Sequence, residues 1–423
     1  MPGKRGWRAL LRHLWRISRL NLRMAACRKG EGMIYHIKQV QDITGFAYAD
    51  IAPKSHGWIC CRDTVTSDQP IFYTMIESAF GVLFSGITLA RENVLRFLAA
   101  LHSDGSADLY VNDFELQLQC LAKRNLRAGE SVMESDIADV PRMTLPSVKI
   151  APSDNVICCV KIGWKYGMFF DLRRRTASSE DQNPDLIWLS LGRLYRILAF
   201  DYIYRTLETQ AVFDALVRDG WFPFVEIATH GFKELVPAYT KGFGKKEKID
   251  GLVALFDEAR LEGMSSRWWR VPVFNEKRGL IEAGIEAFRR NTEQGNVQCI
   301  KTLVSEIEGV LRMDALIRTG TDPGSKPQRF TEYVKQQGLA KSGLADSLLL
   351  PEHFTKYLKD VFYPNFQLDG SPLAVTRHTA SHGVADVNMY TRERALQVIL
   401  TLDQIAFYIG GGKSGEAPSP VKE

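Results

Sequence analysis

Side chains suited to phosphate chemistry stand together in RHTASHG, Arg377–Gly383, some forty residues before the C-terminus. Arginine stays charged at physiological pH, and its planar fork can bind two phosphate oxygens. Histidine titrates near neutrality and can take or give a proton. Arg377 is followed directly by His378 and, five positions on, by His382. These types suit phosphoryl transfer, in which a base or acid moves a proton while a fixed positive charge stabilises the phosphorus oxygens. His378 and His382, four apart, would share a helix face and could together hold a cation, with Asp386 the nearest third ligand. A purely structural reading spends the same residues as helix caps or as partners of Glu308. Positions five apart are about 140° out of phase on a regular helix, so Arg377 and His382 do not converge on one face of it.

The elements that must position this stretch are helices. From Leu186 the apolar residues recur at helical spacing, along Leu189, Leu194, Ile197, Leu198 and Ile203, then Val212, Phe213, Leu216 and Val217, closed by Gly220. Further helices are expected over 230–240, 249–262 and 277–290. GFGKKEK, Gly242–Lys248, lacks the G-x-x-x-x-G-K-[ST] spacing of a phosphate loop and reads as a helix–helix connection. Over 291–410 the pattern is most regular. GNVQCIKTLVSEIEGVLRM and TRERALQVILTLDQIAFYI are helices, and FTEYVKQQ, a break at Gly338 and Gly343, and PEHFTKYLKDVF lie between them. This gives a bundle of about four antiparallel helices. RHTASHG falls between its third and last members.

The N-terminal part differs. Residues 33 to about 172 hold β-prone runs, among them MIYHIKQV, PIFYTMI, ADLYV, FELQLQCL, SVKI and NVICCVKIGWKYGMFFDL, with one helical stretch, LARENVLRFLAAL. An α+β domain over 33–180 is expected, followed by a helical connector over 186–290, the bundle over 291–410 and a disordered tail over 411–423. Arg173, Arg174 and Arg175, in the polar linker between the first two, form the only basic triplet in the body and are candidates for a nucleic-acid phosphate contact.

Charge is uneven. Residues 1–32 hold nine Lys and Arg against Glu31, a net of +8, so the whole-chain value of +5 leaves the remainder at −3. The body therefore has no global attraction to nucleic acid. In WRALLRHLWRISRLNLRM the arginines form one stripe and the apolar residues another, giving a basic amphipathic leader or extension. It suits a membrane-surface or targeting segment, an arm touching RNA or a partner, or a leader before a start at Met24 or Met33. No run of 18 apolar residues is present, so no transmembrane segment is expected. The cysteines number 7, with two adjacent pairs and no C-x-x-C, which suggests buried thiols in a reducing, cytoplasmic setting.

Arg followed after four residues by His, with His378 directly after the Arg and the motif at a helix junction of a compact bundle, resembles the HEPN superfamily. Arg8 and His13 have the same spacing but no such bundle around them. The resemblance covers the C-terminal quarter. It implies a metal-independent endoribonuclease with no cofactor, of the kind found in toxin and antiphage defence systems. His382 is then the general acid/base, Arg377 the phosphate clamp and His378 an orienting group. Glu308 in VSEIEGVLR faces the motif, with Ser381 in support. Members commonly act as homodimers, and many are non-catalytic, so an RNA-binding or dimerisation module is the alternative. A shared, exposed cleft for Arg377 and His382 is what cleavage requires; burial of either against Glu308 is what a scaffold requires. In the N-terminal part, LAKRNLRAGESVMESDIADV (Leu121–Val140) resembles a SAF-type β-clip segment, which implies binding, often of sugars. Read by itself it is a hairpin followed by a short helix or strand.

Overall fold

The computed structural model describes residues 33–41, 43–171, 185–364 and 373–411. The basic segment 1–32, Arg173–Arg175 and the tail beyond 411 lie outside the described residues. The chain divides into two compact units, one of Met1–Gln117 with Leu145–Pro184, the other of Leu118–Thr144 with Asp185–Glu423. Strands β1 (Met33–Ile37), β2 (Phe46–Ala47), β3 (Ile59–Cys60) and β4 (Thr64–Thr66) precede helix α1 (Ile71–Leu83). After it come β5 (Phe97–Leu101), β6 (Ala107–Val111), β7 (Gln117–Ala122), β8 (Ile137–Thr144), β9 (Asn155–Ile162) and β10 (Lys165–Phe170).

The first unit is a six-stranded antiparallel sheet in the order β1-β6-β5-β9-β10-β4. Ile71, Phe72, Met75, Ala79 and Leu83 on α1 pack against Phe97, Leu109, Ile157 and Met168 of the sheet. Two sequence expectations are exchanged here. PIFYTMI opens α1, because the apolar residues continue at helical spacing through Leu83, beyond the short β-prone run. The expected helix over 89–101 instead ends in β5, which is hydrogen-bonded on both sides, with Phe97 opposite Val111 of β6 and Cys159 of β9. Pairing on two edges overrides a helical pattern of leucines. SVKI is likewise not a strand. Cys158 and Cys159 are buried in β9, and burial pushes the Cys159 thiol up to about 12. Cys61 and Cys120 are exposed, so the thiols are not uniformly buried as expected.

The second unit joins a two-stranded sheet, β7 with β8, to a helical region. Its helices are α2 (Asp185–Ala199), α3 (Asp201–Glu208), α4 (Gln210–Arg218), α5 (His230–Lys241), α6 (Lys245–Ala254), α7 (Glu258–Trp268), α8 (Pro272–Glu276) and α9 (Arg278–Arg289). They continue with α10 (Glu293–Thr319), α11 (Pro327–Ser342), α12 (Pro351–Phe362), α13 (Arg377–His382) and α14 (Arg392–Ile409). The segment likened to a β-clip is the β7–β8 pair, closed by a turn in which Arg124 holds Asp136 at 2.7 Å and Glu130 at 2.6 Å. GFGKKEK is the connection from α5 to α6, with Gly242 and Gly244 both at positive φ.

One apolar core runs from Ile137 to Ile409, and α9 packs on α10, so the helical region is not cut near residue 290 as the sequence suggests. Its axis is α14, buried from Ala395 through Ala406 and packed against α6, α7, α9, α10 and α11. The polar groups of this enclosed helix pair mostly within the core, although Gln404 Nε2 has no hydrogen-bond partner among the described residues. Gln404 Oε1 accepts from the Val225 amide at 2.7 Å, Gln397 Nε2 donates to the Asp219 carbonyl at 2.8 Å, and Asp403 accepts from Trp268 Nε1 at 2.6 Å. Gly338 does not break the chain. It lies inside α11, where a Cβ would stand 2.8 Å from Pro351 and 2.9 Å from Tyr408, so it is a packing glycine. No helix among the described residues is long and apolar enough to cross a membrane.

Candidate functional site

Thr376 starts α13: its Oγ1 accepts from the Thr379 amide at 3.1 Å, and Thr379 Oγ1 accepts from the Thr376 amide at 2.8 Å. Gly383, at φ 70°, ends the helix, and the Val384 amide closes back on the Thr379 carbonyl at 3.0 Å. The motif is therefore one short regular helix with a reciprocal cap at one end and a left-handed residue at the other. Arg377 is its first residue and His382 its last. Their angular separation is that of an undistorted helix, so Arg377 and His382 do not share one of its faces.

Glu308, carried by α10 and almost fully buried, sits behind this helix. Its Oε2 lies 3.1 Å from Arg377 Nε, and its Oε1 accepts from Arg312 Nη1 at 3.1 Å. Arg312 in turn forks onto both oxygens of Asp322, at 3.0 and 2.6 Å, which holds that carboxyl down to about 2. The Arg377–Glu308 contact is a charge pairing without an aligned hydrogen bond, and Arg377 Nε is left unpartnered. The terminal nitrogens of Arg377 carry no hydrogen bond among the described residues, and the side chain is 30% exposed. His378 is half-buried, its ring edge-on to Tyr363 with centroids 6.3 Å apart. Burial, then the charges of Arg377 and His382, holds the His378 imidazole below its usual value against the pull of Glu308. His382 and Ser381 are exposed at the end of the helix.

The structure thus brings Arg377, His378 and Glu308 together, with His382 on the outer end of the same helix. The sequence criterion is met in part: Arg377 is paired in charge with Glu308, and His382 is exposed. Asp386 caps the turn that follows, accepting from the Asn388 amide at 2.8 Å. Among the described residues no group of three or more His, Cys, Asp or Glu is placed to hold a metal ion. The nucleic-acid candidates Arg173, Arg174 and Arg175 are outside the described residues.

Three participants escape a reading of the motif alone. Arg312 is four residues after Glu308, a spacing that signals a helical ion pair. Arg394 clamps the approach to the motif, donating to the carbonyls of Val375 and Val361 and to Gln397 Oε1. Tyr363 follows α12 with no local pattern to mark it. Ala374, Val375 and Thr376 also wall a cleft of about 560 Å³ shared with Lys245, Lys246 and Glu393. Its lysines are engaged with Asp219 at 3.6 Å and Asp250 at 3.0 Å. No family model, curated protein or solved structure matches the chain.

Proposed function

We propose that the chain is a HEPN-type, metal-independent endoribonuclease whose chemistry is centred on RHTASHG. The observation that carries this reading is the guanidinium of Arg377. Its Nε is turned to a buried carboxylate while its terminal nitrogens carry no hydrogen bond among the described residues, beside one half-buried imidazole and one exposed imidazole on the same short helix. An arginine held by charge without an aligned hydrogen bond can turn its planar fork to two phosphate oxygens. His382 takes the proton of the ribose 2′-hydroxyl as that oxygen attacks the adjacent phosphorus, the P–O5′ bond breaks, and the resulting imidazolium returns the proton to the departing O5′, with His378 orienting the ring. Because α13 is regular, Arg377 of one copy and His382 of another complete a site in a homodimer. The first unit serves as a recognition or sensor module. A toxin or antiphage role in the cytoplasm follows from the family reading alone, with any regulatory partner left unnamed.

A second reading, a non-catalytic RNA-binding or dimerisation module, draws on the same Glu308, which offsets the charge of Arg377 and Arg312. The two readings separate on product chemistry. In EDTA the enzyme converts end-labelled RNA to fragments ending in a 2′,3′-cyclic phosphate, and a 2′-deoxy substitution at the cut site prevents cleavage. RNA binding with no such products supports the module instead.

A further inference from the structure

Tyr363 is more than nine-tenths buried, and its hydroxyl has no hydrogen-bond partner among the described residues. A buried orphan hydroxyl forfeits its hydration without a replacement and calls for a physical reason. The group is not remote from the motif. Its ring meets the edge of His378 and, at 5.0 Å, that of Phe330, and both Glu308 and Arg377 act on it electrostatically. Burial, and then Glu308, raises the phenol above its usual value, so it is an O–H donor at any working pH. Arg377 Nε, the second orphan, faces the same carboxylate. A carboxylate accepts about four hydrogen bonds, and among the described residues Glu308 has one aligned bond, from Arg312. Two unpaired donors, Arg377 Nε at 3.1 Å from Glu308 and the Tyr363 hydroxyl on the ring that meets His378, therefore belong to one cluster with an under-used acceptor.

We propose that Tyr363 is a positioning residue that takes over Glu308 when Arg377 engages a phosphodiester. This rests on the reading of RHTASHG as an RNA-phosphate site. In the free protein Glu308 holds Arg377 by charge alone. When phosphate oxygens draw the guanidinium outward, the Tyr363 hydroxyl donates to the vacated Oε2, and Arg312 keeps Oε1. The buried carboxylate is not left bare, and Arg377 is released without the desolvation cost that would oppose binding. No bond is made or broken in this exchange.

The test uses the full chain and a fluorescent 2′-O-methyl RNA decamer, which presents phosphodiesters but cannot be cut. Anisotropy and thermal melting are recorded for the parent, Tyr363→Phe, Arg377→Ala, Glu308→Gln and the Glu308→Gln/Tyr363→Phe double variant. Tyr363→Phe keeps the ring contacts, so its melting temperature is unchanged or higher, while its affinity falls five- to tenfold. In the Glu308→Gln background the tyrosine change has no further effect. Parent-like affinity of Tyr363→Phe, an equal loss in both backgrounds, or no decamer binding by the parent overturns the proposal. Cleavage of the unmodified decamer in EDTA is followed in parallel. Cutting that Tyr363→Phe leaves unchanged retains the ribonuclease reading and removes this inference. Tyrosine-dependent binding without cutting does the reverse.

Discussion

Arg394 donates to the carbonyl of Val375 from Nε at 3.1 Å and from Nη2 at 2.6 Å, fixing the backbone two residues before Arg377. The same guanidinium reaches the Val361 carbonyl at 3.0 Å, so the ends of α12 and α14 and the entry to α13 are held by one side chain. A lysine cannot reproduce this fork. Arg394→Lys is expected to cost about 2 kcal/mol in urea unfolding and to lower kcat with little change in KM, because the motif is displaced rather than altered.

The two ends of the Glu308 pairing are unequal. Glu308→Ala leaves Arg312 and Arg377 facing each other, whereas Arg377→Ala leaves Glu308 still bonded to Arg312. Both arginines are about a third exposed, at 34% and 30%, so solvent screens part of the loss. Glu308→Ala should cost about 1–2 kcal/mol and Arg377→Ala less than about 1 kcal/mol. Equilibrium denaturation checks the order; a larger cost for Arg377→Ala contradicts it.

Asp403, buried inside α14, supplies a pH dependence. Burial and then Glu226 push its carboxyl up to about 6, against Arg267, the Trp268 indole and Lys123, which lower it. Its folded value lies above the unfolded value of about 3.9, so the folded state holds the extra proton between these limits. The contribution to stability is full below about pH 4 and is lost as pH rises through about 6. Asp403→Asn keeps an oxygen for Trp268 and should flatten the stability profile between about pH 4 and 6 by about 2–3 kcal/mol. Melting temperatures across this range decide it; a profile as steep as the parent's assigns the slope to other groups.

Gly383 ends α13 at φ 70°, with nothing within 4 Å of the position a Cβ would take. Its cost on substitution is therefore backbone strain alone. Gly383→Ala should lose about 1 kcal/mol, while Gly383→Asn, which tolerates this conformation, should lose less. Calorimetry of the pair separates conformational strain from steric exclusion.

The helical region was largely legible because its apolar residues repeat over long windows, as in 293–319 and 392–409, and because Thr292, Thr391, Gly320 and Gly343 punctuate it. The first unit was less so. Strand β5 carries leucines that also fit a helix, and only its partners β6 and β9 decide the matter. At the site, Arg377, His378 and Glu308 could be found because one local motif and one helical spacing mark them. Tyr363 could not, since its buried hydroxyl, unpartnered among the described residues, and its ring contact with His378 exist only in three dimensions.

The assembly proposed for the site has a direct hydrodynamic consequence. Sedimentation at assay concentrations should give twice the chain mass, and the cleavage rate should fall more steeply than protein concentration below the dimer dissociation constant. A monomer with full activity contradicts the two-chain site.

The decisive measurement is cleavage of a labelled RNA pool in EDTA by the purified protein beside His382→Ala and Arg377→Ala variants that are folded at the assay temperature and have the parent's mass in solution. Cutting by the parent and a loss of at least about a hundredfold in each variant are expected. Absence of cutting by the parent, or parent-like cutting by both variants, would contradict a ribonuclease centred on RHTASHG.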